Sequence, residues 1–269
     1  MIHLRSASLS RIEPELAAAF PFNVAVIQSL ASIEFSTPIT FLVGENGSGK
    51  STFLEALALS ANMIAVGSED ISSDKTLQPV RRLAQKLKLT WQKRTRKGFF
   101  LRAEDYFGYA KRLARMREEM EQDLRDLEAE YAGRSKTALG LAQMAFRREL
   151  HDLDEKYQGD LDSRSHGESF FTFFQARFVP DGLYLLDEPE APLSPLRQLG
   201  FISMIKPMVE QHNAQFIIAT HSPILMAFPG ATILSFDKAT VQQVSYDELE
   251  HVTLTRDFLN DPEQFLRHL

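Results

Sequence analysis

The eight residues Gly44-Glu-Asn-Gly-Ser-Gly-Lys50-Ser51 constrain this chain more than any other stretch. They match G-x-x-x-x-G-K-[ST] at every fixed position. Before them runs Ile39-Thr-Phe-Leu-Val43, apolar like a buried strand, and after them Thr52-Phe-Leu-Glu-Ala-Leu-Ala-Leu59 reads as a helix. Strand, glycine-rich loop and helix in that order build a cradle for phosphate. Glycines let the backbone curl until successive N–H groups face phosphate oxygens, and the helix N-terminus adds its positive end. The candidate nucleotide-binding residues are therefore Gly44, Asn46, Gly47, Ser48, Gly49, Lys50, Ser51 and Thr52. Lys50 is placed to reach the β- and γ-phosphates, and the Ser51 hydroxyl to ligate Mg²⁺. A plain Gly/Ser turn before a helix is the alternative. A nucleoside triphosphate is the expected ligand.

At 269 residues the chain is long enough for one large α/β domain with an inserted subdomain. Hydrophobic residues make up 44% and charged residues 25%, a balance that argues against disorder. No apolar run approaches the roughly 20 residues of a membrane helix; the best, Leu16 to Ile27, is broken by Pro21 and Asn23. The start, Met1-Ile-His-Leu-Arg5, lacks a signal-peptide layout, so the expected location is the cytoplasm. The absence of cysteine excludes disulfides, thiol catalysis and a Cys-based zinc site. The net charge of −6 does not announce a nucleic-acid partner, although an average hides local patches.

A second half of the site lies far along the chain. Gly182-Leu-Tyr-Leu-Leu-Asp187-Glu188-Pro189 is an apolar strand ending in two carboxylates. A strand beside a phosphate loop delivers an Asp to the Mg²⁺ shell, and Asp187 fits that role. Glu188, one residue on, is positioned to orient or deprotonate an attacking water. Phe216-Ile-Ile-Ala-Thr220 is another apolar strand, running into His221-Ser222-Pro223. His221 stands just past its end, where a side chain can face the γ-phosphate; a packing role is the alternative. Ser165-His-Gly-Glu-Ser169 opens the Phe-rich segment Ser169-Phe-Phe-Thr-Phe-Phe-Gln-Ala-Arg-Phe178.

Phosphate loop, Ser-x-Gly-Glu segment, Asp-Glu strand and strand-end His occur here in the order found in ABC-type ATPases. The chain resembles their SMC/RecF-like branch, in particular small bacterial stand-alone AAA-family ATPases, more than transporter subunits. The resemblance implies an α/β P-loop NTPase fold over residues 1–269: an ABC-ATPase-like sheet core, an antiparallel β portion and a short helical insert at 106–164. It implies Mg²⁺-dependent ATP hydrolysis by a homodimer that sandwiches two ATP molecules. Ser165 and the Gly167 N–H would then meet the γ-phosphate on the opposite protomer's loop. Glu188 would act on the water, His221 would sense the γ-phosphate, and Lys50 would complete the catalytic set. A DNA-related or defence-related process is the implied context, with DNA as a partner to test. A transporter-energising subunit and a nucleotide-gated binding module with slow turnover are the alternatives. No Asn-Lys-x-Asp guanine-reading motif occurs, which favours ATP.

Three departures from the family pattern stand out. His166 replaces a usual Gly, Ser194 stands where Asp is common, and no Gln ends the strand Gly98-Phe-Phe-Leu-Arg-Ala-Glu104. Glu104 is the candidate substitute there, a surface carboxylate being the alternative. Upstream, Phe20 or Phe22 is the candidate adenine stack, ordinary packing the alternative.

Within the insert, Leu113, Met116, Met120, Leu124, Leu127 and Tyr131 form one apolar stripe at helical spacing. Phe146, Leu150, Leu153 and Tyr157 form a second, after Gly133-Arg-Ser135. Two antiparallel helices are expected, far shorter than a DNA-bridging arm. From Lys75 to Lys97 nine basic residues surround Trp91 without an intervening acid beyond Lys75. That stretch reads either as a track for a phosphate backbone or as a solvated face. From Ala231 onward an edge hairpin and a closing helix, Asp261 to Leu266, are expected to carry no chemistry.

Overall fold

The computed structural model describes residues 1–66, 78–133, 135–157 and 166–267. They form two compact units, Met1–Ala103 with Val179–Leu269, and Glu104–Phe178.

In the first unit the long apolar runs become the middle of a sheet. Strands β3 (Ile39–Val43), β7 (Leu183–Asp187) and β8 (Gln215–Ala219) are buried along their whole length. Continuous apolar runs of this kind belong to parallel strands covered on both faces. With β4 (Ala65–Val66), β6 (Gly98–Arg102), β9 (Thr232–Ser235) and β10 (Gln242–Val244), the order is β10-β9-β3-β8-β7-β6-β4. All neighbours are parallel except β9 and β10. The register pairs Leu42 with Ala219 and Asp187 with Ala219. The phosphate loop, the Asp-Glu pair and the strand-end His thus leave the sheet along one carboxyl edge, where open α/β sheets hold ligands.

The expected antiparallel portion is a separate sheet of β1 (Leu4–Leu9), β2 (Ser32–Glu34) and β5 (Leu87–Trp91), in the order β2-β1-β5. Helix α1 (Ala25–Gln28) precedes β2, α2 (Lys50–Ser60) follows the phosphate loop, and α3 (Gln78–Lys86) precedes β5. Phe53, Leu54 and Leu57 of α2 share one core with Leu4 and Ala7 of β1, Leu83 of α3, and Leu185 and Ile217 of the large sheet. A buried Gln215 amide stitches the two sheets together. Its Oε1 accepts from the His3 and Leu4 amides, each at 2.8 Å, and its Nε2 donates to the Leu4 carbonyl at 2.9 Å. Both polar ends are satisfied, as burial requires.

The second unit is helical. Helices α4 (Ala103–Glu130) and α5 (Lys136–Tyr157) run antiparallel, as expected. Tyr109 meets Tyr157, Arg117 meets Asp154, and Glu128 meets Gln143. Helix α6 (His166–Arg177) joins them, so the unit extends beyond the expected 106–164. The reason is aromatic packing: Phe170 meets Tyr106 edge-on at 4.6 Å, and Phe173 meets Tyr109 at 5.6 Å. The Arg177 guanidinium donates to both the Tyr109 and Tyr157 hydroxyls and lies over three rings, where its charge meets their negative faces.

The chain closes with α7 (Pro195–Glu210), α8 (Pro223–Met226), α9 (Glu250–Asn260) and α10 (Pro262–Leu266). The expected edge hairpin is present: β9 and β10 pair antiparallel, with β10 outermost, and β9 joins the sheet by pairing parallel with β3. One expectation is corrected: the closing region holds two helices rather than one, α9 having gone unread. Among the described residues, no helix is long and apolar enough to cross a membrane.

Candidate functional site

The phosphate loop is shaped by two glycines. Gly44 has φ 146°, and a Cβ there would stand 2.9 Å from Asp237 Oδ1. Gly49, which caps α2, has φ 100°, and a Cβ would stand 2.9 Å from the Cγ1 atoms of both Val24 and Val26. L side chains rarely adopt either conformation, so glycine holds the turn without strain. Asp237, just past β9, ties the loop down: its Oδ1 accepts from the Glu45 amide at 2.7 Å, and its Oδ2 accepts from the Ser235 hydroxyl at 2.9 Å.

Lys50 is only 4% exposed. Its ammonium donates to the Gly44 carbonyl at 2.6 Å and to the Glu45 carbonyl at 3.1 Å, so it lies folded over the loop. Burial lowers its pKa, opposed by the charges of Glu188, Asp187, Asp237 and Glu45. Around the loop, Gly44, Asn46, Gly47 and Ser48 line a cavity of about 840 Å³. That is ample for a nucleotide-sized ligand.

Across the sheet, the Ser51 hydroxyl donates to Asp187 Oδ1 at 3.1 Å. Asp187 is 7% exposed, and burial pushes its pKa up to about 7; the Ser51 bond opposes this, and Glu188 and Glu55 add to it. A buried carboxylate paired with a hydroxyl is a hard-oxygen donor set that a Mg²⁺ ion fits. Among the described residues no group of three or more His, Cys, Asp or Glu gathers for a metal. The rest of the shell would therefore come from phosphate and water, as is usual for Mg²⁺.

Glu188 adopts φ 48°, a left-handed conformation that a non-glycine residue holds only when its surroundings impose it. Its amide donates to the Ala219 carbonyl at 2.9 Å, which ties the turn after β7 to the end of β8. The side chain is half exposed, and its Oε1 lies 3.7 Å from His221 Nε2. The geometry thus gathers Lys50, Ser51, Asp187, Glu188 and His221 on one sheet edge.

Three residues here escaped the sequence reading. Glu190 is partly buried between the two strand ends. Its Oε1 accepts from the Thr220 hydroxyl at 2.6 Å and from the His221 amide at 2.7 Å, and burial raises its pKa. The repeated acid in Asp187-Glu-Pro-Glu190 was the available signal. Asp237 and His251 were missed because the segment after β9 was expected to be inert; His251 lines the cavity beside the loop.

The remaining candidates fall elsewhere. Ser165 lies outside the described residues, as does Lys75. Gly167 is in the first turn of α6, within the helical unit. Glu104 belongs to α4. Phe22 is buried in the core, so of the two adenine candidates only Phe20, 51% exposed, presents a face. Ser194 is the N-cap of α7, followed by Pro195 in the first turn, an ordinary helix start. The basic stretch divides among α3, β5 and the loop between β5 and β6 and is partly neutralised: Lys86 pairs with Glu13 at 2.6 Å, and Lys93 with Asp181 at 3.6 Å. Trp91 is partly buried against the core and carries the Arg94 guanidinium 6.0 Å above its ring.

Residues 23–62 match the family model of an AAA domain, a span that holds β3, the phosphate loop and α2. No curated protein matches the sequence. Among solved structures the chain is similar to CbiO1 of Clostridium perfringens, part of an ABC transporter complex, at 13% identity and TM-score 0.49 over 100% of this chain and 99% of that one. It is similar to the Smc head domain of Pyrococcus furiosus at 12% identity and TM-score 0.44, over 96% and 100%. It is likewise similar to the SMC head domain of Thermotoga maritima at 15% identity and TM-score 0.43, over 90% and 98%.

Proposed function

We propose that this ABC/SMC-like AAA ATPase hydrolyses ATP with Mg²⁺ as a nucleotide-sandwiched homodimer. The observation that carries the reading is the junction of the two strand ends: Ser51 bonded to Asp187, with Glu188 beside it and 3.7 Å from His221. In this reading the Lys50 ammonium turns from its own loop carbonyls to the β- and γ-phosphates. Ser51 and Asp187 would hold Mg²⁺, which would supply positive charge to the phosphates. Glu188, half exposed, accepts the proton of the attacking water. His221, its amide fixed by Glu190, donates to the γ-phosphate.

The dimer and the trans role of Ser165 and the Gly167 N–H rest on the family resemblance, as does the DNA-related or defence-related context. Steady-state phosphate release at several protein concentrations tests both activity and assembly. The sandwich requires specific activity to rise with concentration and to vanish in Lys50→Ala. A concentration-independent rate would leave an ATPase without the sandwich, and no Lys50-dependent hydrolysis would refute the function. For the nucleic-acid context, Arg94→Glu with Arg96→Glu should abolish a salt-sensitive DNA affinity. Absence of any DNA binding at low salt would remove that context.

A further inference from the structure

Three polar atoms around the phosphate loop are sealed from solvent without a hydrogen-bond partner: Ser48 Oγ, His221 Nε2 and His251 Nε2. All three residues line the same cavity, beside Gly44, Asn46 and Gly47. Buried polar atoms are nearly always bonded, so three orphans in residues that line one cavity call for a common ligand. Each of the three can donate a hydrogen bond, and an acceptor-rich anion suits them together.

The carboxylates on the cavity wall do not meet this need. Asp237 is occupied by the Glu45 amide and the Ser235 hydroxyl. Glu248 accepts from the Ser245 amide. Glu45 interacts with the Lys50 ammonium, and Glu250 shares the wall with Lys238. His251 stands in the first turn of α9, within the electrostatic reach of His221, Asp237, Glu45 and Lys50.

We propose that His251 is a second phosphate-binding histidine, donating from Nε2 to the terminal phosphate of a nucleoside triphosphate alongside His221 and Ser48. The proposal rests on the nucleotide reading above and adds to it a means of separating ATP from ADP. Only the triphosphate carries the group that all three donors reach. Burial first, and then His221, lowers the His251 pKa, so the ring acts as a neutral N–H donor.

The test is calorimetric titration of the full chain, in a Glu188→Gln background, with ATP–Mg²⁺ and ADP–Mg²⁺. His251→Ala should weaken ATP about tenfold, the worth of one hydrogen bond to a charged group, while ADP changes less than about twofold. His251→Gln keeps an amide N–H at a similar reach and should stay within about threefold of the parent for ATP. His251→Asn, too short to reach, should behave like the alanine variant and serves in its place if that variant does not fold. Equal weakening of ATP and ADP, which lost packing of α9 would produce, overturns the proposal, as does unchanged ATP affinity. A parent that binds neither nucleotide, or binds both regardless of Lys50→Ala, overturns the nucleotide reading and the proposal with it. Lys50-dependent ATP binding that is indifferent to His251 overturns the proposal alone.

Discussion

Two glutamates two residues apart stand in different surroundings, and the proposed function gives them different roles. Glu188 is half exposed at the sheet edge, on a backbone turned to φ 48°, where its carboxylate is open to a water. Replacing it by Gln keeps size and polarity but removes the carboxylate that the proposed hydrolysis uses as proton acceptor. Hydrolysis should fall by about 100-fold or more while ATP affinity persists, as single-turnover rates and equilibrium binding would show. Wild-type turnover in Glu188→Gln would mean that another group is the base. Glu190 is partly buried and holds the Thr220 hydroxyl and the His221 amide. Its removal in Glu190→Ala leaves both donors unbonded, costing about 1–3 kcal/mol of stability and loosening His221. Turnover should drop roughly tenfold with little change in ADP affinity, and Glu190→Gln, which retains an acceptor oxygen, should recover most of it. Equal activity in the alanine and glutamine variants would count against a positioning role.

Among the elements, β9 does more than widen the sheet. Pairing with β3 brings its end beside the phosphate loop, so that Asp237 can hold the Glu45 amide. Asp237→Ala should therefore raise the dissociation constant for ATP roughly fivefold, about 1 kcal/mol for one lost bond. Slower amide exchange at the loop in wild type than in the variant would confirm the tether. Unaltered ATP affinity would show that the glycines alone shape the loop. In the helical unit, α6 is anchored by Arg177 over Tyr109, Tyr157 and Phe173. That packing explains why the segment opened by the signature residues belongs with the insert.

For the whole molecule, burial of tyrosine sets an alkaline limit. Tyr184 sits in the core, bonded to both the amide and the carbonyl of Val179, and burial pushes its pKa from 10.0 up to about 12. Between those values the unfolded chain loses this proton while the folded chain keeps it. Stability should therefore fall as pH rises from 10 toward 12 and be insensitive to this group below pH 9. Melting temperatures across that range would check it, and Tyr184→Phe, less stable at pH 8, should show a shallower alkaline decline. At the level of assembly, a mixture of Ser165→Arg and Lys50→Ala chains should regain up to about half the activity per dimer if the two sites act independently. In such a mixed dimer one composite site holds both lesions and the other is intact. Failure of the mixture to exceed either variant, with dimers present by sedimentation, would argue against a trans-acting signature.

Local pattern alone determined the strands that carry the site. Ile39–Val43, Leu183–Asp187 and Gln215–Ala219 are largely apolar and wholly buried, and the residues that follow each are punctuated by glycine, by proline or by charge. Such runs suit buried parallel strands, and a glycine-rich turn between a strand and a helix suits a phosphate cradle. The stripes of α4 and α5 were legible for the same reason, since helical spacing is a local property. What no local pattern carried was proximity. Glu190 and His221 are joined only because β7 and β8 lie side by side, and Asp237 reaches Glu45 only because β9 pairs with β3. His251 lines the cavity beside the phosphate loop from α9, a helix that lies between the expected hairpin and the expected closing helix. These contacts depend on strand order, which is set by how the whole chain buries its apolar surface, and the tertiary structure alone decided them.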